Sequence, residues 1–182
     1  MTDRMAFFLT TQRLGFRSWQ STDLPLAQTL WGDPEVARYL AGPFTSHQVA
    51  DRLNREIALE QLHGVQYWPI FELATSTHVG CAGLRPYRDE AGVFELGYHL
   101  HHAFWGKGFA VEASSAAMDY AFTTRNAAGL FAGHHPENLA SARVLLKLGF
   151  RYAGMQFYEP FNADEPTYRL TLAEWRAQQP PR

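Results

Sequence analysis

The stretch Phe94–Phe122, FELGYHLHHAFWGKGFAVEASSAAMDYAF, decides the fold. Its first residues alternate, with Glu95, Gly97 and His99 on one side and Phe94, Leu96, Tyr98 and Leu100 on the other, the period of two of a half-buried strand. From Ala110 the small and apolar positions Ala110, Ser114, Ala117 and Ala121, with Val111, Met118 and Phe122 beside them, repeat near 3.6, so a helix begins there. Between the two lies the turn Trp105-Gly106-Lys107-Gly108-Phe109-Ala110. The first turn of a helix leaves backbone N–H groups without internal acceptors at the positive end of its dipole, a ready site for phosphate. Gly106 and Gly108 let a diphosphate approach where a Cβ would block it. A plain strand-to-helix connection fits the same letters, because short motifs match loosely. A P-loop is excluded, since Lys107 is followed by Gly108 rather than Ser or Thr. A dinucleotide fingerprint is excluded by Val111 at its third small position and by the lack of a well-placed acid at a following strand end.

Upstream, Arg13 to Trp19 alternates as a first strand. Ser21 and Thr22 cap a short helix carrying Leu24, Leu26, Ala27, Leu30 and Trp31. Asp33-Pro34-Glu35 restarts it, with Asp33 as N-cap and Pro34 at the first helical position. A third helix runs from near Ser46 to His63 and stops at Gly64. Tyr39, Phe44 and other aromatics between these helices suit either core packing or a pocket wall. Gln66 to Leu73 and His78 to Leu84 read as a hairpin turning at Ala74 to Thr77, with Pro69 marking an edge or a bulge. A loop with Pro86, Asp89 and Gly92 leads to the Phe94 strand, so three strands form an antiparallel meander. Downstream come a strand at Leu130 to His134, a helix after His135-Pro136-Glu137-Asn138 that ends at Gly149, strands at Phe150 to Phe157 and Thr167 to Leu172, and a polar tail from Glu174 to Arg182.

At 182 residues the chain reads as one domain, 1–182, able to bury a substantial core. A net charge of −2 with scattered basic residues gives no electrostatic footprint for nucleic acid or a membrane surface. The single cysteine, Cys81, excludes an internal disulfide framework and fits a reducing compartment. The opening MTDRMAFFLTTQRLGF has too short an apolar run for a signal peptide, and the expectation is a soluble, cytoplasmic protein.

Taken together the motifs resemble the GNAT superfamily of N-acetyltransferases, in particular the branch that includes the N-terminal acetyltransferases of ribosomal proteins. The resemblance spans nearly the whole chain. It rests on Thr11-Gln12-Arg13-Leu14, Asp33-Pro34-Glu35-Val36, Glu95-Leu96-Gly97-Tyr98, the turn Trp105 to Ala110, and Pro136-Glu137-Asn138 followed by Ser141, Leu145 and Leu148-Gly149-Phe150. It implies an α+β, three-layer α/β sandwich: a mostly antiparallel sheet of about six or seven strands, flanked by helices and splayed at the middle strands. It implies acetyl-coenzyme A as cosubstrate, with the diphosphate on the backbone of Trp105, Gly106, Lys107, Gly108, Phe109 and Ala110. Trp105 departs from the usual Gln or Arg. The backbone of His99 and Leu100 would pair with the pantetheine arm beside a bulge, as an added strand would, with Asn138 and Ser141 as further contacts.

Such chemistry needs a neutral amine, a donor for the oxyanion and a proton for the departing thiolate. Deprotonating a lysine-like amine of pKa ~10.4 costs roughly 4 kcal/mol at neutral pH, against about 1 kcal/mol for an α-amine. Glu95 is the candidate base, directly or through water, with Glu72 as an alternative; Glu95 reads equally as a solvated or salt-bridged strand residue. A backbone N–H near Leu100 would be the oxyanion donor. Leu145 stands where many members carry a Tyr as leaving-group acid, so Ser141 is the substitute candidate, with an ordinary first-turn residue as its other reading. Asn138 suits both an N-cap and a pantetheine contact. The histidines lack zinc-like spacing, so no metal is expected, whereas His99 or His134 suits a proton relay. Nothing marks Cys81 as activated. The acceptor is a primary amine, on a protein N-terminus or a small molecule, for a monomer or homodimer. The competing class is an acyl-coenzyme A sensor without turnover.

Overall fold

The computed structural model describes residues 6–88 and 90–180. Asp89 of the predicted loop, the first five residues, and Pro181 and Arg182 of the predicted tail lie outside the described residues. In chain order the elements are β1 (Leu9–Thr10), β2 (Leu14–Phe16), α1 (Leu24–Trp31), α2 (Pro34–Ala37), α3 (Ser46–His63), β3 (Tyr67–Glu72), β4 (His78–Pro86), β5 (Val93–Leu100), α4 (Phe109–Thr123), β6 (Gly129–Gly133), α5 (Leu139–Lys147), β7 (Arg151–Tyr158), β8 (Ala163–Thr171) and α6 (Leu172–Ala177). The strands form one eight-stranded sheet in the order β1-β2-β3-β4-β5-β6-β8-β7, one or two more than expected. Every neighbouring pair is antiparallel except β5–β6, which α4 joins by a crossover.

Helices cover both faces. On one, Ala113, Ala117 and Ala121 of α4 are fully buried, so that helix lies close against the sheet, and Leu145 of α5 joins the same core. On the other, Leu30 and Trp31 of α1, Val36 of α2 and Val49 and Leu53 of α3 pack with Tyr67 and Cys81. Each fully buried Leu contributes about 1.5–3 kcal/mol. The helix boundaries follow local chemistry. Thr45 and Gln48 form a capping box on α3, Gly64 closes it in the left-handed region, Asp33 caps α2 ahead of Pro34, and Asn138 caps α5.

The central strands part as expected. The β5–β6 ladder has only Val93↔Gly129, Phe94↔Leu130 and Glu95↔Phe131, after which β5 continues to Leu100 beside β4 and β6 to Gly133 beside β8. The predicted bulge is not on β5, whose register with β4 is unbroken. The register shifts instead between β3 and β4, at Ile70/Phe71.

Four further expectations change. Of the two readings of Pro69 the edge fails and the bulge holds: β3 lies between β2 and β4, and its register with β4 shifts just after Pro69, between Ile70 and Phe71. The Pro69 carbonyl accepts from Arg17 N–H at 3.4 Å, so its missing N–H faces the side on which β2 has already ended at Phe16. The first strand shrinks to β2 because Trp19 turns inward, its indole donating to the Tyr67 carbonyl at 2.7 Å and its backbone N–H to Gln66 Oε1 at 2.9 Å. The last strand begins at Ala163, four residues early, because β7 pairs with it from Arg151↔Arg169 to Tyr158↔Ala163. The tail forms α6, capped by a Thr171–Glu174 box, with Trp175 stacked on Phe122 at 4.9 Å. No helix among the described residues is long and apolar enough to cross a membrane.

Candidate active site

The glycine turn stands between β5 and α4. Gly106 and Gly108 have φ of 72° and 81°, the left-handed region that costs a residue with a Cβ about 1–2 kcal/mol. A Cβ at Gly106 would meet nothing within 4 Å, and one at Gly108 only Arg13 Nη2 at 3.5 Å, so it is the backbone angle and not crowding within the protein that asks for glycine. Among the described residues, the N–H groups of Gly106, Lys107 and Gly108 have no acceptor, and no side chain caps α4. With the free N–H groups of the helix's first turn they form a row of donors suited to an anion.

The turn is tied down at both ends. Trp105 Nε1 donates to the Leu100 carbonyl at 2.8 Å, fixing it to the end of β5. Arg13, just ahead of β2, donates from Nη1 to the Lys107 carbonyl at 3.0 Å, pairs with Glu112 Oε2 at 2.6 Å and lies 4.2 Å from the Phe109 ring centroid. Thr11 Oγ1 donates to Glu112 Oε1 at 2.6 Å. Burial pushes the Glu112 carboxyl up, but these hydrogen bonds outweigh it and hold it below the usual carboxylate range.

Where β5 and β6 part there is a cavity of about 120 Å³, lined by Glu95 to His99, by Ala132 to His135, and by Asn138, Ser141 and Leu145 of α5. Successive β5 side chains point to opposite faces, so a cavity touched by both Glu95 and Tyr98 passes through the sheet. The backbone follows the same alternation. Val93 O accepts from Tyr87 N–H and His101 N–H donates to Val79 O, so the odd-numbered residues of β5 bond to β4. Tyr98 and Leu100 therefore turn their backbone toward the opening. The expectation for His99 is corrected on this point: its backbone faces β4, and it is the backbone of Tyr98 that faces away from β4 beside Leu100.

Glu95 stands on the cavity wall and accepts a hydrogen bond from the Tyr67 hydroxyl at 3.1 Å. The Tyr67 ring lies across Gly97, where a Cβ would be 2.3 Å from its Cζ, so glycine at 97 is what lets the phenol reach Glu95. Across the cavity Glu165 of β8 fills the space a side chain at Gly133 would take. Burial, then the charge of Glu95, pushes its carboxyl up to about 7. Ser141 Oγ lies 2.7 Å from the Tyr98 hydroxyl, and burial raises that phenol to about 12 although the Ser141 bond opposes the shift.

A family profile described as Acetyltransferase (GNAT) domain matches residues 13–151. The chain belongs to the GNAT acetyltransferases. It is 34% identical over 149 residues to the uncharacterised N-acetyltransferase p20 of Bacillus licheniformis, covering 81% of this chain and 84% of that one. Among solved structures it resembles a GNAT-family acetyltransferase from Bacillus anthracis, with a TM-score of 0.79 at 24% identity, covering 92% of this chain and 99% of the other. It also resembles RimL, a ribosomal L7/L12 α-N-protein acetyltransferase in complex with coenzyme A, with a TM-score of 0.75 at 17% identity and 88% and 95% coverage. The protein is thus an acyltransferase, and the splayed sheet is the fold of its family.

Within this GNAT domain the residues singled out from the sequence fall into two groups. Glu95, His99, Asn138 and Ser141 line the cavity; Trp105 to Ala110 form the turn that follows β5, and none of them lines the cavity. Glu72 does not join them, for its carboxylate accepts from Thr75 Oγ1 at 2.7 Å in the β3–β4 hairpin. Asn138 is the N-cap, its Oδ1 accepting from Ser141 N–H at 3.1 Å. Leu145 is buried and lines the cavity without offering a proton. His99 Nδ1 accepts from Trp31 Nε1 at 3.2 Å, and burial with the nearby arginines holds its pKa well below the usual value, so it is neutral at pH 7 with its proton on Nε2. Burial also lowers His134, which donates from Nδ1 to the His135 carbonyl at 2.8 Å. The described residues contain no group of three or more His, Cys, Asp and Glu placed to hold a metal ion. Cys81 is sealed in the core, where burial pushes its thiol up to about 12 and keeps it unreactive.

Glu165, Tyr67 and Tyr98 were not visible as site residues. Tyr67 and Tyr98 sit in strand patterns that any core aromatic would satisfy, and Glu165 falls in a segment read as loop.

Proposed function

We propose that this GNAT enzyme transfers an acetyl group from acetyl-coenzyme A to a primary amine by direct attack in a ternary complex. What supports the reading best is the row of unpaired amides at Gly106, Lys107 and Gly108, together with a through-sheet opening that ends on two carboxylates. Acetyl-coenzyme A brings a thioester whose carbonyl carbon an amine can attack. The turn, pinned by Arg13, Glu112 and Trp105, holds the diphosphate on backbone donors. The outward backbone of Tyr98 pairs with the amide-bearing arm as an extra strand would. Glu95, oriented by Tyr67, takes the proton that the amine must lose, with Glu165 poised near neutral pH to share it. A β5 N–H at Leu100 polarises the carbonyl. The Ser141–Tyr98 hydroxyl pair returns a proton to the leaving sulfur, in place of the Tyr that Leu145 replaces.

The acceptor is an amine on a protein N-terminus or a small molecule; an α-amine suits this site because about 1 kcal/mol of deprotonation asks little of a carboxylate. The enzyme works in the cytoplasm on this reading, as monomer or homodimer. The test follows free thiol from acetyl-coenzyme A with a panel of amines, for wild type and Glu95→Gln. The variant should keep its coenzyme affinity and lose at least tenfold in turnover, within the usual ~10²–10⁴-fold contribution of a general base. An unaltered pH–rate profile overturns the role of Glu95, and a wild type that releases thiol with none of the amines overturns the reading.

A further inference from the structure

Arg52 of α3 lines the same cavity, on the wall that carries Tyr67 and His99. Its neighbour one turn along, Glu56, is fully buried and already used: it forms an ion pair with Arg85 and accepts from Tyr67 N–H at 2.9 Å. Arg52 itself has no carboxylate within ion-pair distance and no hydrogen-bond acceptor among the described residues, and its Nε is shut away from solvent unpaired. Its guanidinium instead sits among aromatics, with Cζ 4.9 Å from the Trp31 ring centroid and 5.7 Å from that of Phe44. Burial and then the nearby Arg85 act against its charge, and Glu56, though paired elsewhere, offsets them only in part.

A half-buried guanidinium with no carboxylate paired to it is costly to keep, and a ligand that supplies the anion relieves that cost. The fork of an arginine fits a carboxylate bidentately. The coenzyme's phosphates are not that anion on this geometry, since none of the residues of the glycine turn lines this cavity. Glu95 and Glu165 stand on the wall where an ammonium would sit. One small cavity thus offers acids for a cation and an unpartnered arginine for an anion.

We propose that Arg52 binds the carboxylate of the acceptor, and that the amine substrate is a small molecule carrying both an amine and a carboxylate, an amino acid or a close derivative. This rests on the acyl-transfer reading above. The experiment compares alanine, methionine and glutamine with their C-terminal amides and decarboxylated amines, measuring KM by thiol release for wild type, Arg52→Gln and Arg52→Lys. Wild type should prefer the acids. Arg52→Gln should raise their KM about 10- to 100-fold, the worth of a hydrogen-bonded charge, while KM for the amides moves less than about threefold and coenzyme affinity holds; Arg52→Lys should fall between. Wild type treating acid and amide alike, or Arg52→Gln raising both equally, overturns the proposal. Should wild type release no thiol with any amine, the acyl-transfer reading fails by itself, and calorimetric titration of methionine and methioninamide then decides on Arg52. Acid-selective binding lost in Arg52→Gln upholds the subsite, and absence of that selectivity sinks it. If Arg52→Gln does not fold, the preference of wild type between acid and amide decides in the same way: a preference for the acid upholds the subsite, and equal use of the two overturns it.

Discussion

Replacing Glu165 with Gln removes a carboxyl that the fold holds at about 7 against an ordinary 4.5. Between those two pH values the folded protein keeps a proton that the unfolded chain has released. Unfolding free energy therefore falls as pH rises through this window, and the cost is complete above pH 7. Taken at face value the shift is worth about 3 kcal/mol; a cavity that admits solvent screens it, so about 1–2 kcal/mol is the working figure. Gln keeps the shape and cannot ionise. At pH 8 the variant should melt roughly 4 °C above wild type, with the gap closing as pH falls toward 4.5. Calorimetric melts of both proteins from pH 4.5 to 8 read this directly. A gap that is independent of pH, or one that opens toward acid, would refute the placement of a strained carboxyl beside Glu95. The same pair of proteins separates the two acids in catalysis. If Glu165 shares the base role, the wild-type rate rises with an apparent pKa near 7 and the variant loses that limb; a limb that persists assigns the proton to Glu95 alone.

Gly108→Val puts a β-branched residue at φ 81°. It should cost about 1–2 kcal/mol of stability and weaken coenzyme A binding beyond detection by calorimetry, and unchanged affinity would count against the phosphate turn. Tyr98→Phe removes the hydroxyl 2.7 Å from Ser141 Oγ while keeping the ring. It should slow thiol release about tenfold or more with an activated-thioester dependence, meaning that a donor with a more acidic thiol restores much of the rate; a loss that no leaving group rescues would place the defect in packing instead.

The turn and its two flanking elements were legible because their signals are local. Strand alternation up to Leu100, glycine at 106 and 108, and a small-residue stripe along α4 each depend on residues within one turn or one strand of each other. The capping residues Asp33 and Asn138 act in the same local way, and both cap their helices; Ser21 and Thr22, read as caps of α1, are not, since Asp23 stands at its N-cap. Positions where the sequence reading fell short depend on partners far along the chain. The early start of β8 hides behind Asp164 and Glu165, which look like loop until β7 is laid alongside. Trp19 alternates like a strand residue, yet Gln66 and Tyr67 draw it out of the sheet. Pro69 looks like an edge marker, and it is tolerated inside the sheet only because β2 is short.

The letters of the chain alone established that a strand runs through a glycine bend into a helix, because backbone angles are set within a few residues, and they made that bend a candidate anion site. They also marked Glu95 and Ser141. Only the tertiary structure decided what faces them: which half of the β5 backbone is free, that Glu165 comes within reach of Glu95, that Tyr98 meets Ser141, and that Glu56 pairs with Arg85 rather than with Arg52. Those facts arise from pairing across spans of tens of residues, where side-chain pattern fixes which face is buried and leaves open which partner waits there.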